Sequence, residues 1–409
     1  MYKVILRHGR DESLRRFHPW VFSGAVAQIV GNPAEGDLVC VQSAEGEKLA
    51  VGHYQIGSIA VRVLSFDGDP TLPGFWHDAI ARAAAVRRSV GLGNGSVEEA
   101  SAALTNCYRL VHGEGDGLPG LIIDWYDGVC VMQAHSVGMF RARGQICEAL
   151  RQVFGDSLKA VYDKSSGTAP FKAGLDLVDG YLYRAPGFDC NSLQVSENGC
   201  LFNVNWVEGQ KTGFFLDQRD NRALVGKYAA GRRVLNLFCY TGGFSVYALR
   251  GGAARVDSVD SSARAMALVE RNIALNRPAA DPAGACVCEN HCTDAIDFLA
   301  AVEPGAYDMI IVDPPAFAKH RGALKNALRA YQRLNAAAIS KVAPGGLVFT
   351  FSCSQVVDKI TFAETVFSAA ARTGRSVRIL DRLCQGADHP VSIYHPEGEY
   401  LKGLLLYVE

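Results

Sequence analysis

Nothing in this chain of 409 residues approaches the uninterrupted apolar length that spans a bilayer. The N-terminus, MYKVILRHGRDESLRR, returns to charge almost at once, so neither a membrane anchor nor a signal peptide is expected and a cytoplasmic location is. An excess of either charge is also missing. Lys and Arg number 41 against 42 Asp and Glu, a net charge of −1, which excludes a globally basic nucleic-acid binder and requires any phosphate-binding surface to be local. There is no internal repeat and no low-complexity tract. The 12 cysteines are scattered through apolar stretches rather than spaced as a framework, so reduced thiols are expected instead of disulfides. The adjacent pair Gly242-Gly243 falls short of a G-x-G-x-x-G pyrophosphate grip, and no G-x-S-x-G nucleophile elbow occurs.

What is present is an ordinary globular composition, 49% hydrophobic and 20% charged, over a length that calls for two or three domains. Residues 1–68 hold short strand-like runs (YKVILR, LVCVQS, KLAVGHY, IAVRVLSF) separated by Gly, Pro, Asn and Asp, the pattern of a small β-rich domain. After the linker FDGDPTLPG, residues 72–188 mix helical spacing (FWHDAIARAAAVRRSVG, FRARGQICEALRQVFG) with turn and strand signals, an α+β pattern. From 189 to 409 strands and helices alternate: RRVLNLF, GFSVYALRGG, RVDSVD, ARAMALVERNIALN, ACVCEN, YDMIIVD, ALRAYQRLNAAAISKVA, GLVFTFS. Such alternation builds a doubly wound, mostly parallel sheet of the Rossmann-like α/β class. The terminal run YLKGLLLYVE has no helix after it and is expected to join that sheet antiparallel.

The first turn of the third unit reads LNLFCYTGGFSVYAL. Gly242 and Gly243 allow a tight turn and close backbone approach to a ligand, and the helix after them offers unpaired N–H groups. The glycines alone fit a plain βα turn equally well. Asp260, 18 residues beyond Gly242 at the end of RVDSVD, stands where an acid binds ribose hydroxyls. With an adjacent glycine pair in place of a diphosphate cradle, the loop from Phe238 through Tyr240 and Thr241 to Gly243 suits S-adenosylmethionine, which carries adenosine and an amino-acid tail but no phosphate. Asp294, in HCTDAIDFL, is placed to accept from an adenine amino group, or to cap a helix, or both. Asp313 in IIVDPPAFAK ends another strand, before two prolines that stiffen the following loop. Cys353, between two serines in FTFSCSQ, emerges at a third strand end. A thiol there is either a nucleophile or a small core filler. The cluster CVCENHC (Cys286, Cys288, His291, Cys292) has the residue types of a zinc site without its spacing, and with two of its cysteines in an expected buried strand; no metal is predicted. The first 18 residues carry a basic bias that includes Lys3, Arg7, Arg15 and Arg16, which is either a solvated face or an RNA contact.

NLFCYTGGFSVYA, SVDSS, DPPAFAK and FTFSCSQ together resemble the class I S-adenosylmethionine methyltransferases. With RRFHPWVFSGAV near the start, TGFFLDQRDNR before the sheet and ADHPVSIYHPEGEYLKG at the end, the chain is similar to the ribosomal large-subunit RNA cytosine-5 methyltransferase family. The resemblance implies an N-terminal PUA domain, a middle α+β domain and a C-terminal methyltransferase domain. It implies an RNA substrate of the 23S type, Cys353 as the nucleophile that adds to carbon 6 of cytosine, and Asp313 as the group at the N3 and amino edge of the ring. Within TGFFLDQRDNR it suggests that Gln218 lies toward the cofactor, while Asp217 and Arg219 read equally well as a structural ion pair. Related RNA cytosine-5 enzymes carry a second cysteine where this chain has Ala316. A homodimer is the base-rate expectation for the assembly.

Overall fold

The computed structural model describes residues 1–93, 105–170, 174–277, 286–318 and 320–409. Ala285, which opens the expected strand ACVCEN, and Lys319, which closes DPPAFAK, lie outside them. The described residues fall into two compact units. One holds Met1–Val195, Val204–Leu216 and Ala387–Gly398; the other holds Ser196–Asn203, Asp217–Gly386 and Glu399–Glu409. Residues 204–216 and 387–398, assigned above to a domain beginning at 189, therefore pack with the N-terminal part of the chain.

In the first unit β1 to β6 (Tyr2–Leu6, Trp20–Phe22, Val26–Val30, Leu38–Gln42, Lys48–Tyr54, Ile59–Ser65) form one sheet in the order β2-β6-β5-β4-β1-β3, with a short helix α1 (Glu12–Arg15) beside it. Apolar residues at alternate positions make its core: Val4 and Leu6, Val39 and Val41, Val61 and Val63 are buried together. β2 and β3 were not anticipated. β2 is three residues long and β3 is almost wholly exposed, so neither presents a buried alternating face. A second sheet, β7 to β11 (Cys107–His112, Leu121–Tyr126, Val129–Ala134, Ala160–Asp163, Gly180–Arg184), is ordered β11-β10-β9-β8-β7, with β9 buried at every position. The helices α2 (Phe75–Ser89) and α4 (Arg143–Phe154) pack on each other and contribute Ile80, Ala83, Ile146 and Leu150 to its core, and a short α3 (Val137–Arg141) precedes α4.

The second unit is a doubly wound sheet. β14 to β20 (Arg233–Leu237, Arg255–Asp260, Val287–Cys292, Tyr307–Val312, Val342–Ser352, Val377–Cys384, Lys402–Val408) run in the order β16-β15-β14-β17-β18-β20-β19. β16 to β18 are parallel, and β20 inserts antiparallel between β18 and β19, as the helix-free C-terminus implied. On one face α8 (Ala295–Ala301), α9 (Leu324–Lys341) and α10 (Lys359–Thr373) cover a core of Leu237, Ile310, Val348 and Leu404. α5 (Arg219–Tyr228), α6 (Gly243–Arg250) and α7 (Ala263–Asn276) pack in series elsewhere on the sheet. α10 and β19 were missing from the expected alternation; β19 is exposed along most of its length and so shows no core-facing periodicity. β16, expected to be buried, is an edge strand with four of its six residues exposed. Among the described residues no helix is long and apolar enough to cross a membrane.

A hairpin of β12 (Ser192–Glu197) and β13 (Cys200–Asn205) brings Glu197 into this unit, fully buried. Arg222 grips its carboxylate with Nε at 2.8 Å and Nη2 at 2.7 Å, Tyr247 donates its hydroxyl at 3.0 Å, and Arg219 Nε stands 3.7 Å away. Removing the acid strands buried guanidinium groups, which costs more than the pair itself contributes. Urea unfolding of Glu197→Ala is expected to show a loss of about 3–5 kcal/mol, against less than about 1 kcal/mol for Glu148→Ala, which breaks an exposed ion pair with Arg151 on α4.

Candidate active site

Sheet register sets the site. Leu237 of β14 lies opposite Val259 of β15 and Val312 of β17, and Val312 lies opposite Thr350 of β18. The next residues along these strands, Phe238, Asp260, Asp313 and Phe351, therefore stand in one row across the carboxyl edge, and Cys353 follows two positions later. Strand order reverses between β15-β14 and β17, which is where an open α/β sheet leaves a crevice for its ligand.

The loop from β14 to α6 is held in an unusual backbone shape. Phe238 (φ 58°) and Tyr240 (φ 48°) are non-glycine residues in the left-handed region, and Gly242 follows at φ 80°. Strain of this kind persists only where surroundings enforce it, and it concentrates at ligand sites. Asp260 does the enforcing: one carboxylate oxygen accepts from Tyr240 N at 3.0 Å, the other from Ser262 N at 2.9 Å. A carboxylate has roughly four acceptor positions, so ribose hydroxyls can still be accommodated. Packing inside the protein itself crowds both glycines. A Cβ on Gly242 would stand 3.1 Å from Val269 Cγ1, and one on Gly243 3.0 Å from Arg222 Cδ. Thr241 is buried, its carbonyl accepting from Asn272 Nδ2 at 2.9 Å. Asp294 is exposed and caps α8, its Oδ1 accepting from Ile296 N at 2.8 Å and Asp297 N at 3.1 Å. The donor set suits an adenosine-bearing ligand without phosphate, since what converges here is acid and backbone with no cationic side chain among these bonds.

Gln218 reaches the acid that stands beside Phe238 in that row. Its Nε2 donates to Asp313 Oδ2 at 3.1 Å, and its Oε1 accepts from Asn221 Nδ2 at 2.6 Å. Asn221 in turn bonds Cys384 O at 3.1 Å, so α5 braces the acid at the end of β17. Asp217 accepts from Tyr400 Oη at 2.6 Å, and Arg219 faces Glu197.

The serines flanking Cys353 are anchors. Ser352 Oγ donates to Tyr331 Oη at 2.9 Å, and Ser354 Oγ donates to Ala318 O at 2.6 Å, tying the cysteine segment to α9 and to the loop after Asp313. Both serines are buried while Cys353 is half-buried. Neither hydroxyl is placed to attack a ligand. Tyr331, fully buried, has its phenol pushed up to about 12, first by burial and then by the charges of Cys353 and Asp313.

The basic N-terminal residues are largely engaged. Arg15 bonds Asp11 (2.7 Å) and Glu47 (2.5 Å), Arg16 bonds Glu12 (2.5 Å), and Arg7 donates to Val26 O (3.1 Å); Lys3 is exposed. The three cysteines and the histidine of CVCENHC do not meet at one point: Cys286 and Cys288 face each other at 3.8 Å, Cys292 turns to Ser261 O, and His291 turns to Asp257 and Glu289, two carboxylates that Arg255 already pairs. A second histidine group, His18 with His395 and Glu397, brings one ligand-capable atom from each residue together, and His18 Nδ1 meets both Trp20 N at 3.2 Å and Trp20 O at 3.3 Å.

Residues 108–405 match the S-adenosylmethionine-dependent methyltransferase family and residues 4–66 match the PUA-like domain. Proteins named ribosomal RNA large subunit methyltransferase I are similar over 99% of both chains: those of Shewanella amazonensis and Pseudoalteromonas translucida are each 38% identical. In fold, the chain is similar over the full length of both chains to a methyltransferase structure complexed with SAH (TM-score 0.82, 23% identity) and to a Streptococcus mutans methyltransferase (TM-score 0.81, 23% identity).

Calorimetry with S-adenosylmethionine tests the two candidate acids. Asp260→Ala, which loses the clamp on the Phe238–Gly243 loop, is expected to weaken binding by about 10–100-fold. Asp294→Ala should cost less, about tenfold at most.

Proposed function

Because this chain belongs to the S-adenosylmethionine-dependent methyltransferase family, we propose that it methylates carbon 5 of a cytosine in large-subunit ribosomal RNA, in the cytoplasm, through a covalent cysteine adduct. The names of its relatives support the ribosomal substrate. The observation that carries the carbon-5 chemistry is Cys353, a half-buried thiol just beyond the row of Asp260 and Asp313, with both neighbours pinned.

Carbon 5 of cytosine is too weak a nucleophile to take a methyl group unaided. Addition of the Cys353 thiolate to carbon 6 pushes the electron pair of the 5,6 double bond into the ring and makes carbon 5 an enamine-like nucleophile. Asp313, as its carboxylic acid, gives a proton to N3 as that charge develops, and Gln218 orients its carboxyl group. Bound S-adenosylmethionine supplies the electrophilic methyl group on a sulfonium. After transfer, carbon 5 bears both the methyl group and its original hydrogen; N3 returns its proton to the Asp313 carboxylate, a base removes the proton from carbon 5, that electron pair re-forms the 5,6 double bond, and the Cys353 thiolate leaves.

The N-terminal unit adds features that suit RNA. Phe17, Phe22 and Tyr394 are about half exposed, with Phe17 and Tyr394 rings 5.4 Å apart and His18 5.9 Å from Phe22. Exposed aromatic rings of this kind stack on unpaired bases. The ion pairs of Arg15 and Arg16 lie at the surface, where exchange of a carboxylate for a phosphate costs little.

In full-length protein, Cys353→Ala is expected to retain S-adenosylmethionine binding and to lose methyl transfer by about 10³-fold or more. RNA with 5-fluorocytosine at the target should trap the parent as a covalent adduct, because fluorine cannot leave as a proton does. Cys239→Ala should still form the adduct, as burial pushes that thiol well up and it packs 3.8 Å from Met266 Sδ. Full activity of a folded Cys353→Ala protein would replace this reading with methylation of a base nitrogen by Asp313 and the DPP loop. Separately, Arg15→Ala with Arg16→Ala should lower the slope of log affinity against log salt for RNA by about 1.5.

A further inference from the structure

Lys402 opens β20 and is 6% exposed. Across the ladder it pairs with Ser352, the residue before Cys353. Its Nζ donates to Ser354 O and to Val357 O, both at 2.6 Å, two main-chain carbonyls on the segment that leaves the cysteine. An ammonium held by neutral carbonyls is an expensive thing to bury. A methionine would fill the space without that cost, so the charge calls for a purpose, and the neighbouring group able to use it is a thiol.

We infer that Lys402 is a positioning residue for the cytosine chemistry: its ammonium clamps the loop after Cys353 and stabilises the thiolate that adds to the ring. This rests on the cysteine-adduct reading above. The surrounding groups leave Lys402 as the buried cation of the neighbourhood. Tyr331, from α9, is a buried phenol. Asp313 is bonded by Gln218, Asp358 caps α10 through Thr361 N, and Glu399 is paired with Lys359 at 2.5 Å. Burial pulls the Lys402 ammonium down to about 8, and the charges of Cys353, Asp358 and Glu399 act against that fall. The cation is therefore present below about pH 8 and fades above it, so its help to the thiolate is greatest near neutrality.

The test compares the full-length parent with Lys402→Met and Lys402→Arg, following iodoacetamide alkylation of Cys353 against pH by peptide-resolved mass spectrometry. Adduct formation with 5-fluorocytosine RNA and calorimetry of S-adenosylmethionine binding accompany it. The alkylation midpoint of Cys353 should rise by about one pH unit or more in Lys402→Met and stay near the parent in Lys402→Arg. Adduct formation at pH 7 should slow about tenfold or more in Lys402→Met and recover in part at pH 9, with cofactor affinity unchanged. An unmoved midpoint in Lys402→Met, whatever happens to the adduct, would overturn the thiolate role. If Lys402→Met does not fold, the parent decides alone: a Cys353 midpoint at or above about 8.5, an ordinary thiol, overturns the proposal, and one well below supports it. The alkylation readout does not depend on turnover, so failure of the adduct reading through an active Cys353→Ala protein is distinguishable from failure of the lysine's role.

Discussion

Everything at the candidate site depends on the hydrogen-bonded register of four parallel strands. Because Leu237, Val259, Val312 and Thr350 are locked level with one another, the residues just beyond them are delivered to one edge without any loop having to search for its place. A one-residue slip of β18 would turn Ser352 away from Tyr331 and carry Cys353 to the other face. The buried faces of these strands, Ile310, Val312 and Val348 among them, make such a slip costly, so the core of the sheet and the geometry of the site are one constraint.

The loops then refine what the strands deliver. Asp260 holds the strained Phe238–Tyr240 turn through one backbone amide, and the pair Ser352 and Ser354 pins the cysteine segment at both sides. Short polar side chains are used for this because each can satisfy a buried partner in one defined direction, which a larger apolar residue cannot. The same residues that looked like candidate ligands or nucleophiles thus have a structural task beside any chemical one.

That double task explains how far the sequence was legible. The parallel alternation, the antiparallel terminal strand and the row of Asp260, Asp313 and Cys353 could all be read, since buried strands followed by glycine or proline turns leave strong local signals. β3, β16 and β19 could not be read correctly, because an exposed edge strand has no apolar face to show. Gln218 was visible as a residue of TGFFLDQRDNR, but its partner Asp313 is 95 positions away, and only the folded chain shows that the two meet. Glu197 was missed for the same reason. Nothing local marks a lone acid as the counterion of Arg222 25 residues on.

Glu197 and Lys402 show two opposite treatments of a buried charge. Around Glu197 the chain gathers a bidentate arginine and a tyrosine hydroxyl, so the charge is met where it stands and the result is rigidity. Around Lys402 the hydrogen bonds run to two carbonyl oxygens, and the charges of Cys353, Asp358 and Glu399 only partly offset the burial of the ammonium. A fold has no need of the second arrangement, which an uncharged side chain would stabilise better. It becomes intelligible when a negative charge must appear and disappear next to it: a full ion pair would hold the lysine's field to a fixed carboxylate, whereas carbonyl dipoles hold the lysine in place and leave most of that field for a transient thiolate. On this argument the instability at the end of β20 and the reactivity at the end of β18 have a single cause, the placement of Lys402 opposite Ser352.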